Sequence, residues 1–358
     1  MNYNILSNKK LILFMSISNI FIINLIGLSR LFNRFKNVAW LIVLIMIIMV
    51  FIICLPFKGL PKELNIMKKI RKKYLLRILL LIYLLFSITF NTVIVSLTIN
   101  KFFYFNTNVL ITSFCILFAS LILSRNSFNK IISLSMIFFI FIIIIYIIPF
   151  THFEEREFSL LFPININFKD LIYTIPLLMF PLEHLIHGLF NNQIENGFTK
   201  KSLIISCIIE GFYILFIMLD AQTLVGANFY VDMYYPGVFR WLVYQGNKFI
   251  ENYDIFLLII IITTYIFKLS FYLHTLRKIL FIKSKTKNYL LIFLVSFTII
   301  SILYILNNYL GIISVVYIYT SLGILLILYL YFIYLSHKNY LKGKNNGWTF
   351  KKKNWKFN

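Results

Sequence analysis

The sequence predicts an all-α membrane protein of ten transmembrane helices, and three observations lead there. Sixty per cent of its 358 residues are hydrophobic and only 13% are charged, with a mean hydropathy of +0.86. That leaves no room for a soluble domain of any size. Runs of about 20 apolar residues, the length that crosses a bilayer, recur along the whole chain. Lys and Arg gather in alternate connecting segments, the pattern of loops that stay in the cytoplasm.

The spans fall at 11–28, 38–56, 78–99, 108–124, 131–150, 171–190, 203–225, 255–275, 289–309 and 312–335. No small-residue cleavage site follows the first, so it reads as a retained helix and not a signal peptide. With the N-terminus inside, most of the 35 Lys and Arg lie on the inner side: in the N-tail, the loops around 57–77, 125–130, 191–202 and 276–288, and the C-tail. Both termini are therefore expected in the cytoplasm. The loop carrying Arg30, Arg34 and Lys36 is the one outer segment against this. A net charge of +23 distributed in this way speaks for membrane topology and not for nucleic acid.

The chain is one membrane domain, 1–358, with a basic tail at 336–358. That tail, KGKNNGWTFKKKNWKFN at its end, reads either as a lipid-binding segment worth up to about 1 kcal/mol per lysine or as a solvated stop-transfer tail. Cys54, Cys115 and Cys207 lie in or at the end of spans without a CxxC pattern, so they read as small apolar fillers. The segment Pro236–Ile250 places Val238, Trp241, Leu242 and Phe249 so that most share one helical face. It reads as an interfacial helix or, with Gly237 and Gly246 in it, as an ordered loop.

The sixth span, LIYTIPLLMFPLEHLIHGLF, carries two prolines, a glutamate and two histidines. Pro176 and Pro181 each withhold a backbone donor, and a carboxylate at mid-bilayer costs at least about 2.5–3.5 kcal/mol. Broken helices of this kind are tolerated where they line a cavity. The first span has comparable polarity in Ser16, Ser18, Asn19, Asn24 and Gly27. Two polar, breakable helices at positions one and six fit a five-plus-five inverted repeat with discontinuous helices 1 and 6. The alternative for Ser and Asn is ordinary interhelical hydrogen bonding, worth about 0.6 kcal/mol on average.

Glu183, Glu210, Asp220 and Lys268 are the carboxylates and amine within spans. A rise of about 1.5 Å per residue puts Glu183 about 18 Å, Lys268 about 20 Å and Glu210 about 24 Å below the outer surface. A Lys268 pair with Glu183 or Glu210 would neutralise two groups that are each costly alone. It reads either as an ammonium standing where a coupling cation would sit or as a fixed salt bridge. Asp220, about 9 Å down, reads as close enough to the outer surface to be solvated. Glu183 and His187 are spaced i, i+4, but there is no HExxH and no third ligand is apparent, so a metalloprotease is rejected and the histidines read as interfacial or hydrogen-bonded. Without a phosphate loop, dinucleotide loop or nucleophile set, neither an enzyme nor a cofactor is expected.

Gly226, Tyr235-Pro236, Glu251-Asn252-Tyr253-Asp254 and Lys268-Leu269-Ser270, with Phe180-Pro181-Leu182-Glu183 upstream, resemble the permease-like B subunits of bacterial spore germinant receptors. Trp40 and the overall length fit as well. Asn252 stands where that family has arginine, Pro181 where it has glycine, and Ser18-Asn19-Ile20-Phe21 where a glycine-containing unwound stretch is expected. The resemblance implies the amino acid–polyamine–organocation transporter fold, with a ligand site between broken helices 1 and 6 and helices 3 and 8. It implies sensing of a small nutrient, with an amino acid expected, in the spore inner membrane, together with A-type and C-type receptor subunits and without catalysis. Ser18, Asn19, Pro181 and Glu183 are then the candidate ligand residues, and Lys268 with Glu210 the buried charges. The rival is a secondary active amino acid transporter of the same superfamily; a membrane transferase ranks last because the outer loops are short.

Overall fold

The computed structural model describes residues 5–19, 28–103, 107–147, 157–162, 168–230, 254–280, 285–306 and 309–345, in part as backbone only. The Pro236–Ile250 segment, Asn24, Gly27, Tyr235, Glu251 to Tyr253 and the last residues of the tail lie outside these. Among the described residues the chain is helical, with a single bridge between Leu6 and Ile194 in place of any sheet.

Helix α1 (Asn8–Ser18) stops at Asn19, whose backbone N–H turns back to Ile17. Helix α2 (Leu28–Phe35) buries Leu28, Leu31 and Phe32, while Arg30 on its other side reaches Ser314 at 3.2 Å. The expected outer loop at Arg30–Lys36 is thus helical. The i, i+3, i+4 spacing of its apolar residues carries it, though it is too short and too charged to register as a span. A 3₁₀ turn at Lys36–Val38 joins it to α3 (Ala39–Cys54), and Arg30–Cys54 together are apolar enough to cross a membrane.

Asn65 caps α4 (Ile66–Lys72) by accepting from the Lys68 N–H. This short helix buries Ile66, Met67 and Ile70 and keeps its lysines outward. Arg71 donates to the Lys278 carbonyl at 2.8 Å; burial, helped by nearby Arg77, holds its guanidinium below its ordinary pKa. Then come α5 (Tyr74–Phe102), α6 (Val109–Ser124, capped by Asn108) and α7 (Phe128–Ile147). Most buried hydroxyls in these helices are satisfied within their own helix: Thr92, Thr98 and Ser120 each donate to the carbonyl four residues back. Polarity in these spans is therefore compatible with lipid.

The sixth span is not unwound at its prolines. It is 3₁₀ over Phe168–Leu178, with Pro176 inside it, makes one α turn, α8 (Met179–Glu183), and is 3₁₀ again over His184–Gln193, with a kink at Phe190. Long 3₁₀ runs have poorer hydrogen-bond geometry than α-helix and are uncommon. Two prolines and a tightly packed neighbourhood account for this one, since 72% of its apolar window is buried. The expected discontinuity is thus a change of helix type.

A capping box of Thr199 and Ser202 opens α9 (Lys200–Val225), and Gly226 closes it at φ +79°, ψ 157°, a conformation open essentially to glycine alone. After α10 (Ala227–Tyr230) follow α11 (Asp254–Leu280), α12 (Lys285–Ile305) and α13 (Leu310–Asn345). Among the described residues, six helical segments are long and apolar enough to span a membrane, and three shorter apolar helices accompany them.

Packing sets the site. Helix α3 lies against α9, α5 against α11 and α6 against α12. Helix α1 packs on α7 and α9, as the sixth span packs on α13 and α3. Helix α11 also touches α6 and α7, where α5 touches α12 and α13. The sixth span, α5 and α11 are the most enclosed; α3 and α13 face outward with Ile48, Phe51, Tyr319 and Leu330 exposed. One end of the bundle is tied by polar contacts: Asn191 donates to the Pro61 and Leu64 carbonyls and accepts from the Phe198 N–H at 2.6 Å. There Gly197 has φ +73°, and a Cβ on it would sit 2.5 Å from the Leu60 carbonyl oxygen.

Candidate functional site

The carboxylate of Glu183 lies at the crossing of four helical elements, 2% exposed. Its Oε2 accepts from Lys268 Nζ on α11 at 3.0 Å. Its Oε1 accepts from the Tyr83 hydroxyl on α5 at 2.7 Å and from the Tyr272 hydroxyl, one turn beyond Lys268. Lys268 Nζ also donates to Asn19 Oδ1 at 2.8 Å, and Asn19 Nδ2 donates to the Phe180 carbonyl at 2.8 Å. Asn19 at the end of α1 therefore ties the ammonium to the α turn beside Pro181. A buried pair is tolerable only when the remaining donors and lone pairs are satisfied, and this one meets that demand with three further side chains.

The other predicted residues divide. Ser18 turns its hydroxyl to the Met15 carbonyl of its own helix at 2.9 Å, outside the network. Pro181 stands on the opposite side of the sixth span, where its carbonyl meets Cys207 Sγ at 3.9 Å. Glu210 does not meet Lys268: its Oε2 is 2.6 Å from His184 Nε2 instead. The lysine thus pairs with Glu183.

Of the two readings of the histidines, the structure shows the hydrogen-bonded and not the interfacial one, and one reading, of Asp220, is corrected. His184 and His187 are both buried, His184 against Glu210 and His187 stacked 4.4 Å from the ring of Phe271 with Phe14 edge-on at 5.5 Å. Residues three apart eclipse on a 3₁₀ helix, which carries both rings inward. Asp220, expected near solvent, is fully buried in α9.

Sequence reasoning missed Tyr83 and Tyr272. Tyr272 had a signal, its i+4 spacing from Lys268 on one helical face. Tyr83 had none among 23 tyrosines. Chemically the centre holds a carboxyl and an amine group locked on each other, with two hydroxyl donors on the first and an amide acceptor on the second.

The family model for spore germination proteins, of the spore permease type, matches residues 6–310. No curated protein matches the chain. The match takes in α1, the sixth span and α11, and with them every residue of the Glu183 network. The apolar helices make the chain an integral membrane protein, and by a match over most of its length it belongs to the spore germination protein family.

Proposed function

We propose that the chain is the permease-like subunit of a spore germinant receptor, which binds a small nutrient germinant, an amino acid, and does not catalyse a reaction. The observation that carries this reading is the Lys268 ammonium, held between Glu183 and Asn19 in the middle of the bundle. A tethered ammonium occupies the place of a cation and cannot leave the protein to be carried across, which favours a sensor over an ion-coupled transporter.

An amino acid offers the same two charges as the pair. Its ammonium would replace Lys268 on Glu183, and its carboxylate would take Lys268 and Asn19. Binding by such exchange loosens the tie between α11, α1 and the sixth span, shifting a conformational equilibrium by the difference in affinity. A-type and C-type subunits would read that shift in the spore inner membrane, with both termini cytoplasmic and the basic tail on anionic lipid.

The ten-span, five-plus-five reading of the fold belongs to this proposal. Its support is the packing: exchanging each span with the one five later turns α1 on α7 into the sixth span on α13. The same exchange turns α5 on α12 into α11 on α6 and leaves α3 on α9 unchanged. An inverted repeat requires that regularity.

The test is a germination dose–response to single amino acids in spores carrying Glu183→Gln in place of the wild-type gene. The substitution leaves Lys268 without its anion, so the amount of the variant in the spore membrane is measured beside the response. With the protein present, the response is expected to be lost or shifted to higher concentration, and a normal curve would remove Glu183 from the site. Uptake of labelled amino acid by proteoliposomes holding this chain alone would favour the transporter.

A further inference from the structure

At one end of the bundle, lysines from separate helices gather around two tyrosines of α13. Lys73, the residue before α5, holds its ammonium 4.6 Å from the ring centre of Tyr331. Lys338 donates to the Tyr334 hydroxyl at 3.1 Å and lies 5.4 Å from the centre of the same ring. Lys73 and Lys69, in the last turn of α4, are both close enough to act on that hydroxyl electrostatically. Among the described residues neither Lys73 nor Lys338 meets a carboxylate. Tyr334 accepts from Lys338, which leaves its own O–H proton to donate.

The level of this patch is that of a lipid phosphate. The apolar helices run over Tyr74–Phe102 and Gly311–Asn339, so Lys73 flanks the end of one and Lys338 stands at the end of the other. Just inside that level both helices turn apolar side chains outward. On α13 Ile327, Leu330 and Tyr334 are exposed, spaced three and four apart on the face that ends in Lys338. On α5, which packs against α13, Leu75 and Ile82 are exposed seven residues apart.

Charge and position name the occupant. Ammonium groups held together without a carboxylate repel one another and favour an anion among them. Ammonium and phenol O–H groups make charge-assisted hydrogen bonds to phosphate oxygens. A zwitterionic headgroup would bring its own cation against the lysines. An acidic protein segment would reach the lysines but not the apolar face inside the membrane, whereas an acyl chain runs on from the phosphate along it. We propose that this patch binds an anionic phospholipid, its headgroup phosphate between Lys73, Lys338 and the Tyr334 hydroxyl and its acyl chains along α5 and α13. The site is built by the folded helices, apart from the lysines at 351–353 in the tail, and does not rest on the germinant reading.

The test is the melting temperature of the full chain in a neutral detergent with dioleoyl phosphatidylglycerol, dioleoyl phosphatidylcholine, inorganic phosphate or a polyglutamate peptide. Phosphatidylglycerol is expected to give a saturable rise of about 2–4 °C, and each of the others under about a third of it. The rise is lost when Lys73→Gln and Lys338→Gln are combined. Both side chains are exposed, so the double variant folds and its melting temperature without lipid is the baseline. Lys351→Gln with Lys352→Gln removes the same charge from the tail and is expected to leave the rise intact. No rise with phosphatidylglycerol, an equal rise with phosphatidylcholine or phosphate, or a rise that survives the loss of Lys73 and Lys338 overturns the proposal. So does a loss as great from the tail pair, which would reduce the effect to net charge. An equal rise with polyglutamate overturns it too and would assign the patch to an acidic protein segment.

Discussion

Glu183 and Glu210 are the same side chain at similar depth on neighbouring helical segments, both 2% exposed, and they are treated in opposite ways. Glu183 has a cation on one oxygen and two hydroxyls on the other. Glu210 has one imidazole nitrogen on one oxygen and, among the described residues, no partner on the other. The difference teaches that burial alone does not define a buried charge. A fully satisfied carboxylate ties the helices together and takes a ligand only by exchange of a partner, whereas a half-satisfied one has an oxygen left over.

The largest effect is expected from Lys268→Ala. It leaves Glu183 charged and without a cation, which typically costs about 3–5 kcal/mol. Lys268→Arg should lose less, and adding Glu183→Gln to Lys268→Ala should recover much of the loss. Denaturation of the purified variants in detergent reads all three; equal stabilities for the Ala and Arg variants would break the comparison on its stronger side.

Tyr272→Phe comes next. It removes one hydroxyl from a charged acceptor, a loss of about 1.5–3 kcal/mol, with Tyr83 still in place. Its magnitude sharpens the division of labour on Oε1: a negligible loss would mean that Tyr83 alone satisfies that oxygen.

The smallest effect is expected from Glu210→Gln. The amide keeps the shape and can still accept from His184, so stability should change by less than about 1 kcal/mol and in either direction. A loss as large as that of Lys268→Ala would mean that Glu210 is satisfied after all. Away from both sites, Gly197→Ala should cost about 1–3 kcal/mol, because its φ of +73° and its approach to Leu60 admit no Cβ. That variant calibrates what a purely structural lesion does.

Much of this organisation is legible in the sequence. The span cores follow from apolar runs, and the layer shared by Glu183 and Lys268 follows from counting residues inward from the span ends. Helix α2 is not legible in that way, because its amphipathic Leu28-Ser29-Arg30-Leu31-Phe32 pattern between two apolar runs reads as a polar loop. Nor is the 3₁₀ form of the sixth span. Prolines announce that the hydrogen-bond ladder is disturbed, but packing decides whether the helix breaks or tightens. The choice of Glu183 over Glu210 depends on lateral placement around the bundle, which depth along a helix does not encode. His184 shows the same limit: its partner is 26 residues away, across the turn between two spans.

A double-mutant cycle tests the contrast most directly. Folding free energies are measured for Lys268→Met, Glu183→Gln, Glu210→Gln and the two doubles that contain Lys268→Met. The account predicts a coupling of about 2–3 kcal/mol between Lys268 and Glu183, with Lys268 and Glu210 additive to within about 0.5 kcal/mol. Equal couplings to both carboxylates, or a larger one to Glu210, would contradict it.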